Sequence, residues 1–207
     1  QCQAALCDVR LADELRLAAE SPTTLRDIRV WGTNDAEGLE ALMAVPRGAF
    51  DAVRTSRDDV CLIAFTSGTT GVPKGCMHFH RDVMAMCDGF SKQVLKATHT
   101  DRCIGTPPLA FTFGLGGLLC FPLAARGAAV LVEKATPESL LDAIAQTKAT
   151  VSFTAPTFYR AMSLALKKEP QRWRLPSLRA SVSAGEALPD ATRTLWREAT
   201  GIEMLDG

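Results

Sequence analysis

Ala128-Ala129-Val130-Leu131-Val132, then Thr136-Pro137-Glu138, then Thr150-Val151-Ser152-Phe153-Thr154 form the stretch on which the fold turns. The first segment is continuously apolar, which predicts a strand covered on both faces, as in a parallel sheet. Thr136-Pro137-Glu138 has the order of a helix start: a hydroxyl at the N-cap, proline where a missing N–H costs nothing, and an acid beside the positive end of the helix dipole. The pattern predicts a helix over 137–148, after which 150–154 returns to strand. A strand, a crossover helix and a second strand in this order make a parallel pair.

The same alternation continues outward. Apolar strand segments recur near 60–66, 102–106, 179–183 and 202–205, separated by helical stretches, and Pro189 to Thr200, closed by Gly201, is a second capped helix. The expected fold class is α/β, a mostly parallel sheet flanked by helices. Toward the N-terminus, Ala4 to Asp8 is a short apolar run, Leu11 to Glu20 places Leu15 and Ala18 on one helical face, and Asp27 to Gly32 is strand-like. This reads as β-α-β. The more charged stretch from Thr33 onward, with a short helix through Leu39 to Met43, reads as a connector. The expected organisation is a partial β-α-β subdomain with its connector over 1–58 and a larger α/β subdomain over 59–207.

Composition narrows the partners. Lys plus Arg number 23 and Asp plus Glu number 23, so no general field draws nucleic acid or an acidic membrane surface. No apolar run reaches the roughly 18 to 20 residues that span a bilayer. Seven cysteines, an odd number, with Cys61, Cys87, Cys103 and Cys120 among apolar neighbours, suit reduced core thiols and a cytoplasmic location. The chain starts without Met and ends on Asp206-Gly207, which reads as a stretch cut from a longer polypeptide.

In sheets of this class, ligands sit at the carboxyl ends of strands. Directly after the strand Val60 to Ala64 comes Phe65-Thr66-Ser67-Gly68-Thr69-Thr70-Gly71-Val72-Pro73-Lys74-Gly75. Its glycines let the backbone approach an anion closely, the hydroxyls of Thr66, Ser67, Thr69 and Thr70 add donors, and Lys74 supplies a full positive charge. That composition suits a polyphosphate, since charge-assisted hydrogen bonds are roughly twice as strong as neutral ones. It is not the common P-loop, because the lysine there precedes Ser or Thr and here precedes Gly75. The bland alternative is a Gly/Thr-rich surface turn.

The run from Thr66 to Gly75, followed by His80-Arg81-Asp82, resembles the signature loop of the adenylate-forming superfamily, which holds acyl-CoA and aryl-CoA synthetases, peptide-synthetase adenylation domains and luciferases. Over its whole length the chain looks most like the benzoate- and 2-aminobenzoate-CoA ligases, within their large N-terminal domain. The resemblance implies that Thr66, Ser67, Gly68, Thr69, Thr70, Gly71 and Lys74 hold the β- and γ-phosphates of ATP, with Lys74 and Thr66 as the catalytic pair. Gly185-Glu186-Ala187, in the turn after a strand, resembles the segment whose backbone lines the adenine pocket. Asp206-Gly207 resembles the approach to a motif whose polar residue lies near the adenine.

Phe111, Phe113 and Gly114, within Thr106 to Gly117, resemble part of the acid-binding pocket, where two aromatic rings beside glycines suit a flat ring. The bland alternative is core packing beneath a Gly-rich helix start. Many relatives carry His where Phe111 stands. Amino-acid-activating relatives place an Asp in this stretch to pair with the substrate ammonium, and residues 103–120 hold no Asp or Glu, so a plain carboxylic acid is favoured. Cys76-x-His78-x-His80 invites a zinc reading but lacks a fourth nearby ligand, and no metal site is expected in the chain.

The implied reaction activates an aromatic carboxylic acid of benzoate or 2-aminobenzoate type as acyl-AMP at the expense of Mg-ATP and then forms the CoA thioester. The implied partners are the acid, ATP, Mg and CoA, with room for a homodimer of the full-length protein. The Mg-binding Thr-Glu pair, the ribose-binding Asp and the small C-terminal domain would follow Gly207, so the chain alone is expected to form no acyl-CoA. Two alternatives stay open: an adenylation domain that loads a carrier protein, and a nucleotide-binding module without turnover.

Overall fold

A computed structural model describes residues 2–21, 24–66 and 73–207. The chain divides into two compact units, 1–54 and 55–207.

In the first unit, β1 (Ala4–Asp8) and β2 (Asp27–Trp31) pair in parallel, Ala4 opposite Asp27 and Asp8 opposite Trp31. A 3-10 turn (Val9–Leu11) and α1 (Ala12–Ala19) make the crossover, and α2 (Leu39–Ala44) follows. This is the β-α-β arrangement that the apolar runs imply.

The second unit opens with a difference from expectation. β3 (Val60–Thr66) does not join the parallel sheet; it pairs antiparallel with β4 (Lys74–Phe79) as a separate hairpin. α3 (His80–Met86) starts where the Asp82 carboxylate accepts the Phe79 N–H at 2.8 Å. The helix widens into π-helical turns over Cys87–Val94, where the Leu95 N–H reaches the Phe90 carbonyl. Arg81, in the first turn of this helix, pairs with Asp58 and lies over the Phe79 ring.

The remaining strands are β5 (Arg102–Gly105), β6 (Ala128–Val130), β7 (Val151–Thr154), β8 (Ala180–Ser183) and β9 (Met204–Asp206), all parallel in the order β6-β5-β7-β8-β9. Between β5 and β6 runs one continuous helix: α4 (Thr112–Leu115), π-helical turns (Gly116–Cys120) and α5 (Phe121–Ala125). α6 (Pro137–Thr147) carries the chain back past β5 to β7, α7 (Pro156–Lys168) leads to β8, and α8 (Asp190–Thr200) to β9. The caps are those the sequence specifies: Thr136 accepts the Ser139 N–H at 3.1 Å, and Gly201 ends α8 in the left-handed region at φ +76°.

Side chains alternate across the sheet with period two. Cys103, Val151, Phe153, Ala180 and Val182 pack against helices 80–94 and 112–125. Ile104 and Met204 face the opposite way, into the core built by α6, α7 and α8 around Tyr159 and Trp196. Two polar strand residues on that second face are paired: the Tyr159 hydroxyl lies 2.8 Å from Ser152 Oγ, and Trp196 Nε1 donates to Ser181 Oγ at 3.1 Å. Burial pushes the Tyr159 phenol above its ordinary range, so it stays a neutral hydroxyl.

At the amino ends of the strands, Asp101 is 4% exposed. Its carboxylate accepts from Arg179 Nε at 2.8 Å and Nη2 at 2.7 Å, from Thr150 Oγ1 at 2.7 Å and from the Thr98 N–H at 2.8 Å. One side chain thus ties together the segments that enter β5, β7 and β8.

Two further expectations are corrected. The 128–132 segment is not a strand covered on both faces: β6 stops at Val130, stands at the sheet edge, and leaves Leu131 63% exposed. Cys61 is exposed on β3 rather than in a core, whereas burial raises the Cys103 thiol to about 12 and keeps it protonated. None of the described helices is long and apolar enough to cross a membrane.

Candidate active site

The strand order reverses between β5 and β7: the chain leaves β5 for β6 on one side and returns to β7 on the other. At such a switch point the loops diverge and leave a crevice above the strand ends. Thr106 and Thr154 meet there, hydroxyl to hydroxyl at 2.5 Å.

Beside this crevice lies an apolar cavity of about 150 Å³. Phe113, Phe153, Phe121 and Phe90 form its aromatic wall. Phe113 meets Phe153 edge-on at 6.0 Å between centroids, and Phe90 stacks on Phe121 at 5.7 Å. Val182 and Gly207, from the ends of β8 and β9, close the same cavity. No charged side chain is among the described residues that line it.

Of the acid-side residues singled out in the sequence, Phe113 is in this wall and Gly114 supports it from behind. A Cβ on Gly114 would collide with the Pro108 carbonyl oxygen, so only glycine lets the helix start so close to the preceding loop. Phe111 is elsewhere: it is the N-cap of α4, 65% exposed and outside the cavity. Phe90, Phe121 and Phe153 were not foreseen, since each belongs to a different element and only the tertiary fold gathers them.

Of the residues singled out for the nucleotide, Thr66 and Lys74 are direct cross-strand partners at the loop end of the β3–β4 hairpin. Ser67, Gly68, Thr69, Thr70 and Gly71 lie outside the described residues. Gly185 follows β8 with φ +89° and open space where a side chain would stand, so the exposed turn Gly185-Glu186-Ala187 presents bare backbone. Glu186 accepts from the Thr157 hydroxyl at 3.3 Å, which links this turn to the start of α7. Asp206 is half-exposed with Arg193 Nη2 at 3.9 Å, and the Gly207 N–H is held by the Ser183 carbonyl at 2.9 Å. Cys76 and His78 share one face of β4, whereas His80 begins α3; no group of three His, Cys, Asp or Glu able to hold a metal occurs among the described residues.

The Ser183 hydroxyl, also at this edge, is fully buried without a hydrogen-bond partner among the described residues. Removing an unpaired polar group is nearly free or favourable. Ser183→Ala is therefore expected to leave the melting temperature within about 2 °C of the parent, or to raise it, in scanning calorimetry. A fall of more than about 5 °C would show that the hydroxyl has a structural partner in solution.

Comparison with known proteins agrees with this geometry. The family model described as AMP-binding enzyme matches residues 1–207. The benzoate–CoA ligase of Thauera aromatica is 35% identical over 185 residues, which covers 89% of this chain and 35% of that protein. The crystal structure of the anthranilate CoA ligase AuaEII in complex with anthranoyl-AMP superposes with a TM-score of 0.86 at 33% identity, covering 100% of this chain and 39% of the other. ATP-bound MatB from Rhodopseudomonas palustris superposes with a TM-score of 0.82 at 26% identity, covering 99% and 39%. The chain thus spans between a third and two fifths of the length of these relatives. By the family match over its whole length and by the fold that places a crevice at the strand ends, the chain belongs to the AMP-binding enzymes.

Proposed function

We propose that the chain is part of an ATP-dependent acid:CoA ligase that activates an aromatic carboxylic acid as its acyl-adenylate and passes the acyl group to CoA. The observation that carries this reading is the convergence of Phe113 and Gly207 on one cavity. The first belongs to the segment expected to hold the acid, the second to the segment expected to approach the adenine. An acid seated against the aromatic wall has its carboxylate end toward the strand termini, where the α-phosphate of a nucleotide on the Gly185-Glu186-Ala187 and Asp206-Gly207 backbone would lie. An apolar cavity of roughly this volume holds a benzene-sized ring. Its uncharged lining favours a plain acid over an amino acid, whose buried ammonium needs a partner.

In this reading, Thr66 and Lys74 at the hairpin end, with Ser67, Gly68, Thr69, Thr70 and Gly71, grip the β- and γ-phosphates. Magnesium enters as part of the substrate Mg-ATP. Catalysis is positioning plus stabilisation of crowded phosphate charge, and no side chain here serves as a nucleophile. The test is acid-dependent ATP–pyrophosphate exchange by the whole polypeptide with benzoates, aminobenzoates and straight-chain acids. Benzoates and aminobenzoates are expected to support the fastest exchange, and preference for straight-chain acids would overturn the aromatic assignment.

A further inference from the structure

A second cavity, of about 230 Å³, lies between the hairpin and the two helices that wall the first. Met86 and Thr112 line both cavities and stand between them. Leu62 and His78, direct cross-strand partners and therefore on one face of the hairpin, form its far wall. Among the described residues, two ionisable side chains reach it, Asp82 and His78. Asp82 is committed to the start of α3, accepting the Phe79 N–H at 2.8 Å. The imidazole of His78 makes no hydrogen bond among the described residues. It is a half-buried donor and acceptor facing apolar space beside the proposed ring pocket.

We infer that this second cavity receives a hydroxyl or amino substituent on the ring of the acid, and that His78 is the residue that selects for it. The inference rests on the aromatic-acid reading and deepens it: the preferred substrate is a ring-substituted benzoate rather than benzoate itself. The partition suits that role. Methionine is unbranched and adapts its shape, so Met86 can lean aside to join the two spaces where a rigid β-branched residue would not. A neutral imidazole offers one donor and one acceptor and therefore matches either substituent. A site that hydrogen-bonds a substituent rejects the analogue lacking it, because the buried polar group is then left unpaired.

The experiment is calorimetric titration of the chain, in the presence of AMP, with benzoate, the 3- and 4-hydroxybenzoates and 2-aminobenzoate. At least one substituted acid is expected to bind about tenfold more tightly than benzoate. His78→Leu, which keeps the volume but removes both polar atoms, is expected to abolish that preference and leave benzoate affinity unchanged. His78→Gln, which retains a donor and an acceptor, is expected to restore part of it. The inference is overturned if His78→Leu keeps the preference, if it weakens benzoate and the substituted acids equally, or if the parent binds all of them alike. Absence of any aromatic-acid binding by the parent would instead sink the reading on which the inference stands. Melting curves of both variants within about 2 °C of the parent establish that the fold is intact.

Discussion

Lys74→Met is expected to slow acyl-adenylate formation by the whole polypeptide about a hundred- to a thousandfold, the usual cost of removing one preorganised donor from developing charge. Lys74 is the first residue of β4, cross-strand from Thr66, so its backbone is fixed by the hairpin while its side chain stands exposed at the loop end. A lysine held there acts as a point charge on a flexible stem, suited to following phosphate oxygens as they move apart. Methionine keeps most of the stem and removes only the ammonium.

The same substitution separates phosphate recognition from base recognition. If Lys74 acts on the β- and γ-phosphates, Lys74→Met weakens ATP binding to the chain about tenfold and leaves AMP binding untouched. Equal loss for both nucleotides would place the lysine at the α-phosphate, and no loss for either would remove it from the site. A melting temperature within about 2 °C of the parent is expected, because the residue is exposed.

Much of the scaffold around Lys74 was legible in the sequence, and the reasons are local. Thr136-Pro137 and Gly201 mark helix ends through their own backbone chemistry, so α6 and α8 fall within a residue or so of their predicted limits. The short runs Ala4–Asp8 and Asp27–Trp31 bracket a helix and pair as expected. What failed was non-local. Lys74–Phe79 follows the glycine-rich loop so closely that it reads as a lead into the next helix, and only its alternation over Cys76, Met77, His78 and Phe79 hints at the antiparallel partner of β3. Ala128–Val132 is apolar throughout, yet its position at the edge of the sheet follows from the order in which the chain revisits β5, which no window of sequence contains.

The site divides in the same way. Phe113 and Gly207, singled out by motif resemblance for the acid and for the nucleotide, both line the apolar cavity. Phe111, two residues before Phe113, differs because it is the N-cap: helical direction begins after it, and its side chain is left at the surface. Phe90, Phe121 and Phe153 read as ordinary core residues, since nothing in one aromatic side chain tells which three will meet.

Asp101→Asn is expected to destabilise the 55–207 unit by about 2 to 3 kcal/mol at neutral pH, a drop of roughly 5 to 10 °C in melting temperature. Burial alone would raise the Asp101 carboxyl, but the Arg179 guanidinium, the Thr150 hydroxyl and the Thr98 N–H outweigh it and hold the group at about 2, against an ordinary 3.8. A depressed carboxyl contributes stability above its unfolded pKa and loses it as pH falls toward the folded value. The contribution is therefore complete above about pH 5 and disappears between about pH 4 and 2. A tenfold difference in proton affinity between folded and unfolded chain is worth about 1.4 kcal/mol. Arg179, whose side chain is 39% exposed, shares its charge with water, which holds the expected loss below that of a fully buried pair. Asparagine keeps the shape but turns an amide N–H₂ toward donors that need an acceptor. The difference in melting temperature between parent and Asp101→Asn should thus be largest near pH 7 and shrink steadily below pH 4, whatever the other carboxylates do to both proteins in parallel. A difference that stays constant down to pH 2.5 would mean that Asp101 acts through packing rather than through its charge, and that the amino ends of β5, β7 and β8 are held together by something other than this carboxylate.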